Sequence, residues 1–289
     1  MKKLLLSLLL AVIFLGCKST PQESAPAVTE PEVTETQPQP QYTPPPPSPA
    51  PPQIDAATHF SRGNEFYDRY DFNQAIEEYS QAIKKDPGMT EAYINRGNAY
   101  SGKLEYEKAL DDYLAGAKTN ADYDHFAQGY SLYLAQNYKP ALAEFTKAID
   151  KKTNLLAAYN DRGLVHSNMG NYDLAIADFN EAISINPNSA FPYNNRGNAY
   201  FMKGNNEKAI EDYDKAIELY PDIAFPYAGR GLANYRNKDY DKAIEDYNKA
   251  ILIMPEEPYF YTIRGNAYSA KGERKLADVD FTRAKVLRN

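Results

Sequence analysis

The chain of 289 residues has one cysteine, no tryptophan and three histidines. One cysteine excludes a disulfide within the chain, so packing alone must hold the fold together. Cys17 stands far from His59, His125 and His166, and no Cys/His set falls at zinc-ligand spacing. Basic residues are the minority, 32 Lys and Arg against 39 Asp and Glu, for a net charge of −7. An acidic chain without a basic stripe makes a poor nucleic-acid binder. Past residue 15 no apolar run is long enough to suggest a membrane span. Phosphate-cradling GxGxxG and P-loop patterns and the GxSxG nucleophile turn are missing. No catalytic residue, metal or cofactor is expected, and the chain does not read as an enzyme.

The first 17 residues, MKKLLLSLLLAVIFLGC, read as a targeting segment. Lys2 and Lys3 form a basic start and Leu4 to Leu15 an apolar stretch too short for a comfortable span. The ending FLGC resembles a bacterial lipoprotein signal, with cleavage before Cys17 and acylation of that residue. Phe14 departs from the usual Leu three places before the cysteine. The alternative is an ordinary signal peptide (1–16) with an incidental cysteine. Residues 17–55 follow as a tether: 12 of the 20 prolines lie in 18–54, with PPPP at 44–47. Such a composition cannot build a core and favours extended polyproline segments. The other reading is a docking site for a proline-recognising partner. Lys18, where some bacteria use Asp to retain lipoproteins at the inner membrane, leans toward the outer membrane. The expected location is therefore the cell envelope, lipid-anchored, periplasmic or surface-facing.

What is abundant after residue 55 is repetition. RGNAY occurs at 96–100, 196–200 and 264–268, and RGNEF at 62–66. Arg62 and Arg96 are 34 residues apart, and Arg196 and Arg264 twice that. Seven units follow: 56–89, 90–121, 122–155, 156–189, 190–223, 224–257 and 258–289, the second two residues short. A fixed period in this range signals a stacked array. Position 8 is Gly throughout (Gly63 to Gly265). Position 20 is Ala (Ala75 to Ala277), position 24 is aromatic (Tyr79 to Phe281), and position 27 is Ala or Gly. Position 32 is Pro87, Pro187, Pro221 or Pro255 in four units. Two helices per unit are predicted, at about positions 2–14 and 17–30. Small residues let them cross closely, turn glycines end the first helix, and proline stops the second.

This set resembles the tetratricopeptide repeat family, over 234 of the 289 residues. The resemblance implies an all-α fold, a right-handed superhelical solenoid of helix–turn–helix units. It also implies a concave groove lined by the first helices that holds a protein or extended peptide. The chaperone-tail binders of the family use a lysine clamp. Position 5 here reads Phe60, Ile94, Phe126, Asn160, Asn194, Ala228 and Thr262, with no Lys, so that activity is not carried over. Positions facing the groove include Asn64, Asn95, Asn98, Asn195, Asn198 and Asn266. An amide offers donor and acceptor together and could grip a peptide backbone; the alternative is a solvated polar helix face. Tyr67, Tyr133, Phe201 and Tyr235 add flat apolar surface, as do Phe191, Phe225 and Tyr259 unless they pack between units. A glycan or peptidoglycan ligand, or a host molecule, is the alternative to a peptide.

Arg62, Arg96, Arg162, Arg196, Arg230 and Arg264 share position 7, and position 23 is always acidic. The expected pairing is with Glu78, Asp112, Asp178, Asp212, Asp246 and Asp280, as structural ion pairs rather than an anion-binding ladder. Gln128, the non-Arg of the row, should break it. Unit 3 also puts Pro140 early in its second helix and gathers Lys147, Lys151 and Lys152; a bend or partner site at 116–155 and simple drift are both open. Asp278, Arg283, Lys285 and Arg288 make the last helix polar, as a cap. Failing that, this end is a candidate homodimer surface.

Overall fold

The computed structural model describes residues 54–288. The expected leader, Cys17 and the tether up to residue 53 lie outside the described residues. Among the described residues there are fourteen α-helices in seven antiparallel pairs. They are α1 (Ala56–Asp68) with α2 (Phe72–Lys85), α3 (Thr90–Gly102) with α4 (Tyr106–Thr119), and α5 (Asp124–Leu134) with α6 (Tyr138–Asp150). Then come α7 (Leu155–Asn168) with α8 (Tyr172–Ile185), α9 (Ala190–Met202) with α10 (Asn206–Leu219), α11 (Ala224–Arg236) with α12 (Tyr240–Ile253), and α13 (Pro258–Lys271) with α14 (Arg274–Arg288). A short 3-10 turn at Ala121–Tyr123 replaces the residues missing from unit 2.

Each helix packs on the next in sequence. First helices also touch their equivalents one unit on, α7 with α9 and α9 with α11 among them, which makes them the inner layer of a solenoid. Packing explains the glycines. A Cβ built on Gly63, Gly129, Gly163 or Gly265 would lie 2.5 to 2.8 Å from the position-24 ring of its own unit. Alanines at positions 20 and 27 are fully buried beside those rings, from Ala75 and Ala82 to Ala243 and Ala250. The helices of the first six pairs therefore cross closely enough to bury the position-24 ring, from Tyr79 to Tyr247.

The turn inside each unit needs one left-handed residue. Gly170, Gly204 and Gly272 supply it at φ 80°, 85° and 85°. Tyr70, Leu104, Gln136 and Lys238 take the same place at φ 60°, 64°, 58° and 70°, at a cost of roughly 1 kcal/mol each. Pro140 falls at the third residue of α6, where a helix still has free N–H groups, and leaves α6 intact. After α6 the stopping proline is absent. Lys152 and Asn154 turn the chain instead through left-handed backbone, and Thr153 is buried with its hydroxyl donating to Ala148 O at 3.1 Å.

One long-range contact was not foreseen. The α1–α2 turn returns to the connections after α8 and α10. The Tyr70 ring stacks on Tyr220 at 4.4 Å, its hydroxyl donates to Asn188 O at 2.6 Å, and it accepts from Ala190 N at 2.7 Å. Phe72 and Phe191 stack beside it at 6.1 Å. The left-handed strain at Tyr70 is offset by this contact. At the other end, the expected polar residues of α14 are exposed, but not alone. Leu276, Val279 and Val286 are exposed alongside Asp278, Arg283, Lys285 and Arg288, and Phe281 lacks the neighbour that covers its equivalents.

Candidate functional site

The position-7 arginines fork onto the position-23 carboxylates of their own units. Arg96 Nε and Nη2 donate to Asp112 at 2.8 and 2.7 Å. Arg162 meets Asp178 at 3.0 and 2.7 Å, Arg196 meets Asp212 at 2.9 and 2.6 Å, and Arg264 meets Asp280 at 2.8 and 2.7 Å. Arg230 holds Asp246 in the same way, its Nη2 at 2.6 Å. The remaining Nη1 crosses to the preceding unit, reaching Ser80, Thr146, Asn180, Asp214 or Asn248. Each guanidinium also lies 5.4 to 5.8 Å from the ring of a position-4 tyrosine: Tyr93, Tyr159, Tyr193, Tyr227 or Tyr261. Burial raises the Asp112, Asp212 and Asp246 carboxyls above the ordinary range, and the paired guanidinium pulls them back. With all three nitrogens of each guanidinium bonded to the scaffold, the row rivets one unit to the next.

The row stops short of Arg62. Glu78 is held instead by His59 Nδ1 at 2.6 Å, and Arg62 is exposed. Position 4 is histidine here, so the stacking tyrosine is missing, and among the described residues no earlier unit offers the crossing acceptor. Unit 3 repeats the pattern: His125 Nδ1 meets Glu144 at 2.7 Å, and Gln128 turns to Asp124.

The asparagines expected to grip a peptide are partly engaged within the fold. Asn64, Asn98 and Asn198 are half-buried, and their Oδ1 atoms accept from the hydroxyls of Tyr79, Tyr113 and Tyr213 at 2.8, 3.0 and 2.7 Å. Asn95 donates onward to Asn64 at 3.0 Å, and Asn195 to Asn160 at 2.9 Å. These amides satisfy buried tyrosines before any ligand arrives. The rule reads across units: where position 24 is phenylalanine, position 9 is freed. Asn266, opposite Phe281, is exposed. Unit 6 breaks the rule, with Leu232 opposite Tyr247 and the Tyr247 hydroxyl buried without a partner.

The aromatic positions diverge. Phe201 is covered by the Arg236 guanidinium 3.5 Å over its ring, and Tyr235 packs on Tyr240 at 5.4 Å. Phe225 packs on Phe260 at 5.7 Å, a contact between units, and Tyr259 lies 6.0 Å from the same ring within its own unit. Tyr67 and Tyr133, by contrast, are half-buried; Tyr67 packs on Phe72 at 5.6 Å and Tyr133 on Tyr138 at 6.5 Å, and both feel the charge of one buried carboxyl, Asp161 on α7.

Asp161 is 7% exposed. It accepts from Asn160 Nδ2 at 3.1 Å, the end of a chain of amides in which Asn194 donates to Asn195 and Asn195 to Asn160. The other end, Asn194 Oδ1, is buried without a partner. Burial pushes the Asp161 carboxyl up to about 7, opposed only by the Asn160 bond. The Tyr67, Tyr106, Tyr113, Tyr130 and Tyr133 hydroxyls are all raised, first by burial and further by the Asp161 charge. Tyr106 reaches about 12. A signal existed in the sequence. Position 6 reads Ser61, Asn95, Ala127, Asp161, Asn195, Gly229 and Ile263, one charge in an uncharged row.

Comparison with known proteins adds the following. The tetratricopeptide repeat model matches residues 156–189, 190–223 and 224–257, and a second model described as TPR repeat matches 63–103. No curated protein matches the chain. Among solved structures, a chain of the APC/C hetero-tetramer Cut9–Hcn1 superposes with a TM-score of 0.64 at 17% identity, over 80% of this chain and 46% of that one. The chain thus spans about half the length of that relative. A tetratricopeptide repeat protein from Parabacteroides merdae superposes at 0.50 with 19% identity, covering 80% of this chain and 93% of the other. MamA from Desulfovibrio magneticus superposes at 0.52 with 20% identity, covering 58% and 96%. At these identities the likeness shows a shared fold.

Proposed function

The chain is a tetratricopeptide repeat protein, and from that premise we propose that it is a non-catalytic scaffold holding a protein or extended peptide against its inner layer. Proteins of this family are protein–protein interaction scaffolds. The observation that carries the reading here is the half-buried tyrosine surface around Asp161, formed by inner-layer residues of units 1, 3 and 4 with Tyr106. It joins apolar rings, hydroxyls and one carboxylate without a countercharge, a combination suited to side-chain recognition. The sequence MKKLLLSLLLAVIFLGC, ending in Cys17, supports a lipid-anchored place in a bacterial envelope.

A photoreactive residue at Tyr133 in intact cells tests the inner surface against one at the exposed Lys249 on α12. Capture of one discrete protein at Tyr133 and none at Lys249 is expected. Capture at Lys249 alone moves the binding surface outward. For the anchor, a labelled fatty acid should enter the wild-type chain and not Cys17→Ser; equal labelling refutes acylation at Cys17.

A further inference from the structure

Asp161 lacks a countercharge. Both basic side chains on its own helix face elsewhere: Arg162 Nη2 sits 2.7 Å from Asp178, and His166 Nε2 4.0 Å from the same carboxylate. Among the described residues no lysine, arginine or histidine pairs with Asp161. A carboxylate has about four acceptor sites, and this one uses a single bond, from Asn160. Leaving it so is costly unless something completes it.

Its surroundings show what could. The equivalent Asn95 donates to position 9 of the unit before, Asn64. Asp161 lies near enough for its charge to raise the hydroxyl of Tyr130, which is buried in the core with Phe126 and Tyr113. Asn168, two turns along α7, donates to the Tyr133 hydroxyl at 3.4 Å, so Tyr133 stands on the same side. The Asp161 charge also reaches the hydroxyls of Tyr67 from unit 1 and Tyr106 from unit 2. Aromatic faces and phenol oxygens around one carboxylate suit a large, weakly hydrated cation. They suit a metal ion poorly, and among the described residues no group of three His, Cys, Asp or Glu side chains gathers.

We propose that Asp161 is the specificity point of the groove and receives a lysine or arginine side chain of the bound polypeptide, ringed by Tyr67, Tyr106, Tyr130 and Tyr133. This rests on the groove reading above. It makes the partner basic at one position, and the chain's net charge of −7 favours its approach.

A random peptide library displayed against the full-length chain and against Asp161→Asn tests it. Asparagine already stands at the equivalent Asn95 and Asn195, so the variant should fold, as circular dichroism will verify. Peptides enriched on wild type should share a Lys or Arg and bind the variant more weakly by about tenfold or more. Wild-type binding should also strengthen about tenfold from pH 6 to 8 as a carboxyl near 7 ionises, and the variant's should not. The facing titratable groups are Tyr67, Tyr106, Tyr113, Tyr130 and Tyr133; all are raised and stay neutral in that range. Enriched peptides with no basic preference, or equal affinity for both chains, overturn the role of Asp161 and leave the groove standing. If neither chain enriches any peptide, the groove reading fails and the inference with it.

Discussion

Removing the Asp161 charge should stabilise the protein, and by an amount that depends on pH. In the unfolded chain this carboxyl titrates near 3.8; in the fold, burial pushes it to about 7. Between those values the native state keeps a proton that the unfolded state has released. Native stability therefore falls as pH rises through this window, by about 1.4 kcal/mol per pH unit. The contribution is whole below the unfolded value, lost by the time pH passes the folded one, and flat above it. Three units would amount to roughly 4 kcal/mol, and relaxation with water entry reduces that, so about 2–4 kcal/mol is the expectation. Asp161→Asn keeps the shape and can still accept from Asn160. Urea unfolding followed by circular dichroism should show the two chains nearly equal at about pH 4. At about pH 8 the variant should be the more stable by that margin. Every other carboxylate is common to both, so the difference isolates Asp161. A variant no more stable than wild type at about pH 8, or a gap that does not widen with pH, would refute an uncompensated buried charge.

Tyrosine hydroxyls offer an internal control. Tyr213→Phe removes the bond to Asn198 and should cost about 1 kcal/mol, whereas Tyr247→Phe should be neutral or stabilising because that hydroxyl has no partner. Leu232→Asn should raise stability by restoring the acceptor, and the gain should vanish when Tyr247→Phe is added; additivity in that double-mutant cycle would show the two side chains do not meet. Arg196→Gln leaves Asp212 buried and should cost roughly 3–5 kcal/mol, with little rescue by Arg196→Lys, which cannot fork. Arg62→Gln should stay within about 0.5 kcal/mol, since Glu78 belongs to His59; similar losses at both sites in urea unfolding would contradict the assigned pairs. Tyr70→Ala should free the first unit from the connections after α8 and α10, seen as faster hydrogen exchange in α1 and α2 and a larger radius of gyration in solution scattering. Unchanged exchange and radius would mean the contact does not restrain the array.

The repeats also explain one another. Position 4 and position 23 change together: tyrosine goes with Asp and a forked arginine, histidine with Glu and none. Glutamate is one methylene longer and meets the imidazole, while aspartate keeps its oxygens where the guanidinium arrives. Seven copies of one unit thus test a contact without any other sequence, and Leu232 opposite Tyr247 is where the pairing lapses.

The 34-residue period, the two helices per unit, the small residues at their crossings and the Arg–carboxylate pairing were legible in the chain alone. Each depends on residues within one unit or in adjacent units, and periodicity repeats that local arrangement seven times. The tertiary structure alone decided three things: the return of Tyr70 to Tyr220, the use of the asparagines to satisfy tyrosines, and the gathering of Tyr67, Tyr106, Tyr130 and Tyr133 around Asp161. The first and third depend on the rotation between successive units summed over several of them, including the shortened second unit; the second lies within single units and turns on which side chain each amide faces. A small change in that rotation alters which distant residues meet, and no local pattern in the sequence encodes the sum.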